Sequence, residues 1–448
     1  ALLSNGISIM AVRGGPTEIE REGRGLKIMP TLHPAFVMRA QRWTHVFRND
    51  VQRAARWLRG DLKWEPPEIL YHPDADTLRT FLNDPDVPYW TYDVETDGIE
   101  ALTANLRCIA IGSPERVAVV GIDGIHKDIK FYPSPQLEEV KQVLRDFFQD
   151  PTKLKVGHNA GYYDKLVVEN QLGVTPEPVM DTMLLHRLVE SELPHSLGFV
   201  GSLYTDAPSW KTDREGNKKA LGGESDHELH EYCAYDVAVT AAVVPPLFSQ
   251  VKLRRQEEAM QCDHKLQEIC AGMHRVGMYV DQEKRLEFER ELTASVTEHR
   301  KKLQDITGRP TLNPGSVNQL RDLLFNEWKL EPPVEDKIRF TLSGDPSTSD
   351  DVLRASMTIK TLTDQQRSAL SSIRYYRKSQ KMLGTYVTKL RYNTLEAGGG
   401  WDSDDTWDEI ERRKALGDMK VGIVDPFTGR MHPGYNAHVT TTGRLSSS

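Results

Sequence analysis

Three apolar runs in close succession, Tyr89–Glu95, Arg107–Gly112 and Arg116–Ile122, set the narrowest limits on the fold. Each is bounded by turn residues and reads as a strand. Helical patterns follow at Pro135–Phe148, Tyr162–Gln171, Thr182–Val189 and Asp226–Val243. Strands first and helices afterwards predict an α/β domain around a mixed sheet, from about residue 68 to 250. Within it, Lys211–Gly223 is polar and rich in Gly and Lys, and reads as a mobile loop.

Other segments flank this domain. Residues 1–62 are turn-rich and end in an Arg-rich amphipathic helix whose apolar positions include Val46, Val51, Ala54 and Leu58. The Trp64-Glu-Pro-Pro67 stretch reads as a linker, because paired prolines break a helix. Residues 255–395 are mostly helical, with Asp281 as an N-cap and Leu286, Leu292, Val296 and Leu303 on or near one face. Residues 396–448 open with Gly398–Gly400 and the acidic run Asp402–Glu411, then turn strand-like from about Lys420.

The 448 residues suffice for about three domains. No run of about 18 apolar residues occurs, so no membrane span is expected. Four cysteines without metal-site spacing predict buried thiols in a reducing cytoplasm. A start on Ala1 is expected of a fragment. The net charge of −8 argues against a nucleic-acid partner, but the basic residues cluster. One cluster is Arg39, Arg42, Arg48, Arg53, Arg56 and Arg59; the other is Arg374, Arg377, Lys378, Lys381, Lys389 and Arg391. Each fits a solvated helix face as well as a phosphate-binding surface.

The chemistry lies in carboxylates. Asp93 and Glu95, two apart in a strand, leave the same face of the sheet and repel unless a cation lies between them. Tyr232 and Asp236, four apart, stack on one face of a helix that Ser225-Asp-His-Glu228 caps as a capping box. An Asp in so apolar a helix is costly to bury unless it ligates something. Asn159 suits a loop or cap before Asp164, which by itself would merely complement a helix dipole. Asp181 reads as an N-cap rather than a ligand.

Taken in order, these pieces resemble the three exonuclease motifs of the DEDDy-type proofreading nucleases, within the DnaQ-like (ribonuclease H-like) superfamily. The motifs match at Asp93 and Glu95, at Asn159 and Asp164, and at Tyr232 and Asp236. The oxygen-only donor set suits two Mg²⁺ or Mn²⁺ ions rather than zinc. The resemblance implies that Asp93, Glu95 and Asp236 hold one ion, and Asp93 with Asp164 the other. It also implies that Tyr232 orients the attacking water, that Asn159 contacts DNA, and that the product is a 5′-nucleoside monophosphate.

Further motifs are similar to family A DNA polymerases. Cys262–Asp281 looks like the start of that family's thumb, and Leu312-Asn-Pro-Gly-Ser-Val-Asn-Gln-Leu320 resembles its tip. Ser343–Ser349, Tyr376–Lys381 and Thr385-Tyr386 continue the likeness, and Thr442–Ser447 resembles the first palm motif. The resemblance runs over about residues 88–448 and points to the phage branch. It implies DNA contacts at Asn313, Ser316, Gln319, Arg377, Lys381 and Arg444, with a single-stranded 3′ end and primer–template duplex as partners. A processivity factor is a further candidate partner. The palm aspartates would lie beyond Ser448, so this chain is expected not to polymerise DNA. The alternative is a stand-alone DEDDy exonuclease with a helical nucleic-acid-binding domain. Gly6–Gly14 and Lys27–Arg39 look like the C-terminal end of a uracil-DNA glycosylase-type domain, with His33 matching its base-contacting histidine. A strand-end His-Pro turn reads the same residues equally well.

Overall fold

The computed structural model describes residues 8–21, 23–125, 129–211, 225–341, 343–392, 422–438, 440, 442 and 444–447. The acidic run and Gly398–Gly400 lie outside them, as does all of the expected mobile loop except Lys211. Two compact units are present: Ala1–Val276 with Pro433–Ser448, and Gly277–His432.

The first unit opens with helix α1 (Ile9–Val12), the hairpin β1 (Thr17–Arg21) and β2 (Arg24–Ile28), then α2 (Pro34–Arg39) and α3 (Thr44–Arg59). Its centre is a mixed sheet, as the sequence pattern predicts, with six strands where the sequence showed three. The strands are β3 (Glu68–Tyr71), β4 (Trp90–Thr96), β5 (Leu106–Gly112), β6 (Arg116–Gly121), β7 (Lys155–Gly157) and β8 (Val179–Asp181), in the order β3-β6-β5-β4-β7-β8. The β4–β5–β6 meander is antiparallel, while β3 joins β6, β7 joins β4 and β8 joins β7 in parallel.

Period-2 alternation divides the core between the two faces of the sheet. On one face Tyr92, Val94, Ile109 and Ile111 pack under α4 (Ala75–Leu82), α5 (Ser134–Gln149) and α6 (Tyr163–Leu172). On the other, Cys108, Ala110, Val117 and Val119 pack against Leu229, Cys233, Ala234, Val237 and Ala238. Those last five lie on α9 (Asp226–Leu253), which packs in turn on α7 (Thr182–Val189) and α8 (Leu197–Tyr204). Asp93 and Glu95 have the parity of the second face, so the fold turns both carboxylates toward α9.

α9 runs ten residues past the expected Val243 and carries Pro245 and Pro246 inside it. Proline at 245 leaves the Ala241 carbonyl without its helical donor. The Tyr89 hydroxyl donates to that carbonyl instead, at 3.1 Å. α9 is also the one described helix long and apolar enough to cross a membrane by composition. Its apolar residues are spent on the sheet, α7 and α8.

α3 corrects the sequence reading. Val46 is buried as expected, but Val51 and Leu58 are exposed, and the helix buries Asp50 and Arg53 instead. Asp50 pairs with Arg13 at 2.5 Å, both side chains being almost wholly buried, and accepts from Thr31 Oγ1 at 2.7 Å. The Arg53 guanidinium donates to the carbonyls of Ser202, Thr205 and Ala207. Two of these lie at the C-terminal end of α8, where helical carbonyls lack partners. α10 (Glu257–Val276) completes this unit with a short pair, β11 (Tyr435–Asn436) and β12 (Ser446–Ser447).

The second unit is built on α11 (Gln282–Thr307) and α15 (Asp364–Met382), with α12 (Val317–Arg321), α13 (Asp336–Arg339) and α14 (Asp350–Ser356). Strands β9 (Met278–Tyr279) and β10 (Arg430–Met431) pair within it. Asp281 caps α11 as expected, accepting from the amides of Glu283 and Lys284. Leu292, Val296 and Leu303 are buried, but Leu286 is exposed. At 3.6 residues per turn, Leu286 lies about 120° around the helix from Leu292.

Candidate active site

β4 lies between β5 and β7, with Asp93 opposite Ala110 and Glu95 opposite Cys108 on β5. The register breaks between Glu95 and Thr96, which ends the strand one residue past the second carboxylate. Candidate ligand atoms of Asp93, Glu95 and Cys233 all lie within 4.8 Å of one another. The Cys233 Sγ sits 3.6 Å from the Asp93 carboxylate, and Asp236 follows one turn later on the same helix. Asp164 comes from the first turn of α6 and is buried.

A tight turn aims α6 at the strand. Asn159 adopts φ 67°, the left-handed region that Asn tolerates. Its amide and that of Gly161 donate to Asp181 Oδ1 and Oδ2, at 2.9 and 3.3 Å. Asp181 also caps α7 through the Met183 amide and accepts from Gln267 Nε2 at 2.7 Å. A Cβ at position 161 would fall 2.1 Å from Gln267 Oε1, so a larger residue there would push the Gln267 amide off Asp181. The Tyr163 hydroxyl, held by Gly98 O and Thr96 Oγ1, ties the start of α6 to the end of β4.

Four carboxylates are thus drawn into one partly buried place. Burial, then the neighbouring Asp236 charge, pushes Asp93 up to about 8. Glu95 is held well above the ordinary range by burial and then by Asp93. Asp164 is raised likewise, by burial, Asp93 and Asp181 in that order. Such mutual repulsion is what a divalent cation relieves. The oxygen donors fit Mg²⁺ or Mn²⁺, with the Cys233 thiol a softer atom beside them.

A stability consequence follows from Asp93. Its pKa of about 8 when folded, against an ordinary 3.8, means the folded chain keeps a proton that the unfolded chain releases. Without metal, stability therefore falls as pH rises from about 4 to about 8. Thermal unfolding in EDTA is expected to show this slope, and Mg²⁺ to restore more at pH 8 than at pH 5.

One cation already lies in the site. Lys211 Nζ donates to Asp236 Oδ2 at 2.5 Å and to the Tyr232 hydroxyl at 2.8 Å. Trp210 Nε1 donates to Asp236 Oδ1 at 2.5 Å. Burial pulls the Lys211 pKa down, but Asp236 and Tyr232 outweigh it and raise it. Burial, then Asp236, raises the Tyr232 hydroxyl, with Lys211 opposing. Sequence reasoning missed Lys211, Trp210 and Cys233. Cys233 shares a helix face with Asp236, three residues away, but nothing in the spacing ties Trp210 or Lys211 to the carboxylates.

The remaining candidates lie elsewhere. His33 is exposed and caps α2, its Nδ1 accepting from the Ala35 amide at 3.1 Å. Asn313, Ser316 and Gln319 shape the turn before α12: Ser316 caps that helix and Gln319 Oε1 accepts from the Asn313 amide at 2.7 Å. Arg377 is turned inward onto the Pro314 and Thr348 carbonyls, while Lys381 is exposed. Arg444 is exposed in the first unit, just before β12.

Comparison with known proteins defines the class. Residues 73–252 match the 3′-5′ exonuclease family, and residues 282–448 match DNA polymerase family A. DNA polymerase I of Chloroflexus aurantiacus is 24% identical over 397 residues, which are 86% of this chain and 37% of that protein. DNA polymerase I of Pseudomonas aeruginosa is 25% identical over 365 residues, 80% of this chain and 35% of that protein. The DNA polymerase of Bacillus phage SP01 is 29% identical over 147 residues, 33% of this chain and 11% of that protein. The chain spans about a third of the length of the two bacterial relatives. A solved structure, the POL domain of Pol1 from M. smegmatis with DNA primer-template and dNTP, shares the fold at TM-score 0.59 and 18% identity. That likeness covers 85% of this chain and 54% of the other. The chain thus joins a 3′-5′ exonuclease domain to a DNA polymerase region. Over residues 282–448 that region is one of DNA polymerase family A.

Proposed function

We propose that this chain hydrolyses the 3′-terminal nucleotide of a DNA strand, as the proofreading part of a replicative polymerase. The observation that carries the reading is the crowding of Asp93, Glu95 and Asp164 around Asp236, the first three with carboxyls raised by burial and then by neighbouring carboxylates. These four would hold two Mg²⁺ or Mn²⁺ ions, which when bound ease ionisation of the attacking water and stabilise the departing 3′ oxygen. Water oxygen joins the terminal phosphorus as the bond to the 3′ oxygen of the preceding nucleotide breaks. That oxygen takes a proton, and a 5′-nucleoside monophosphate leaves. The Tyr232 hydroxyl orients the water, and Asn159 on its left-handed turn borders the strand path.

The wider reading has residues 68–250 as the exonuclease domain, 255–395 as a thumb and 396–448 as the start of a palm, with residues 1–62 a uracil-DNA glycosylase-like remnant around His33. In the thumb, Asn313, Ser316, Gln319 and the exposed Lys381 lie against duplex phosphates, with Arg377 bracing the turn behind them; Arg444 meets the primer end. The match to a phage polymerase supports assignment to the phage branch. A processivity factor and a cytoplasmic setting belong to the same reading. The test is digestion of 3′-labelled single-stranded DNA, expected to stop in EDTA, resume with Mg²⁺, and be faster on a mispaired than a paired primer end. Equal digestion in EDTA would exclude the metal site.

A further inference from the structure

Tyr232 and Asp236 share a cation that reaches them from a different part of the chain. Lys211 closes a strap, residues 205–211, that returns from the end of α8 to the face of α9. The strap is anchored along its length. Arg53 of α3 holds the carbonyls of Thr205 and Ala207, Arg56 pairs with Asp206 at 2.8 Å, and the Lys63 amide donates to Asp206. The Trp210 ring packs among Leu197, Val200 and Val239, over Gly201, where a Cβ would come within 3.2 Å of the ring. A residue delivered by so many fixed points has little freedom to leave. Its three N–H donors meet a carboxylate and a phenol at once, at 2.5 and 2.8 Å.

We propose that Lys211 is a positioning residue of the exonuclease site, holding the Tyr232 hydroxyl and the Asp236 carboxylate in one fixed arrangement through its ammonium. The proposal rests on the exonuclease reading above. With Lys211 Nζ donating to it, the Tyr232 oxygen has a lone pair engaged, so its own O–H points away from the lysine. That fixes which way the phenol can hydrogen-bond a water. The same ammonium, with Trp210, fixes the rotation of the Asp236 carboxylate about its last bond. The strap is tied to α3, so the N-terminal segment is in mechanical contact with the chemistry.

The test compares wild type, K211M, K211R, Y232F and K211M/Y232F on 3′-labelled single-stranded DNA across a Mg²⁺ titration. K211M is expected to lower kcat by about 10–100-fold at saturating Mg²⁺ while leaving the KM for DNA within about threefold. K211R should recover most of the loss. In the Y232F background the K211M effect should shrink to a few-fold, because the two act through one hydroxyl. Unchanged kcat in K211M with half-maximal activity at lower Mg²⁺ would mean that Lys211 only neutralises the metal-free site, and would overturn the proposal. A gain in kcat, or losses that add in full in the double variant, would also overturn it. Inactivity of the wild type would instead refute the exonuclease reading itself.

Discussion

Replacing Asp93 and Glu95 together by alanine is expected to reduce 3′-end hydrolysis by about 10³-fold or more. The site then loses both β4 carboxylates, and with them the cation that must offset charge at the reacting phosphate, an effect worth several kcal/mol. The same change has the opposite effect on stability. Without metal, burial lifts both pKa values, and the Asp236 charge adds to it at Asp93 as the Asp93 charge does at Glu95. Removing them relieves that strain, so the variant should melt higher than wild type in EDTA at pH 8, and Mg²⁺ should no longer stabilise it. Lost activity with raised stability separates a missing site from a misfolded one. DNA-end digestion and thermal unfolding on the same preparations check both halves.

Asp50→Ala is expected to cost about 3–5 kcal/mol, or roughly 10 °C in the melting temperature. The change strands the Arg13 guanidinium, which is almost wholly buried and keeps, among the described residues, only the Ser202 hydroxyl as a side-chain hydrogen-bond partner. Removing both charges, with Asp50→Leu and Arg13→Met, should recover a large part of the loss, because an apolar pair leaves nothing unpaired. Chemical or thermal unfolding of the three proteins checks this. A full loss in the double variant would mean that packing around α3, not the ion pair, sets the cost.

The centre of the sheet was legible because its three antiparallel strands are apolar runs bounded by turn residues, buried on both faces. Tyr89–Glu95 and Arg107–Gly112 each fall within a residue of β4 and β5, and the same parity puts Asp93 and Glu95 on the face that α9 covers. What could not be read was wherever a polar group does the work of an apolar one. Arg53 belongs to a basic stretch that fits a solvated face in sequence, yet it lies with Asp50 on the buried face of α3 while Val51 and Leu58 face out. α9 should have ended before Pro245, and continues because the Tyr89 hydroxyl, 152 residues away in sequence, accommodates the lost hydrogen bond. Lys211 stood at the edge of a stretch that looked mobile, and only the folded strap brings it to Tyr232 and Asp236. The carboxylates were found by spacing and order; the groups that surround them depend on tertiary contacts that no local spacing encodes.

The most direct test of the central claim is product analysis with 5′-labelled single-stranded DNA and Mg²⁺. If Asp93, Glu95, Asp164 and Asp236 form a metal-dependent site for 3′-end hydrolysis, the label should shorten one nucleotide at a time from the far end and 5′-nucleoside monophosphates should accumulate. Release of the labelled end first, internal cleavage, or an identical ladder from the Asp93→Ala/Glu95→Ala variant would contradict it.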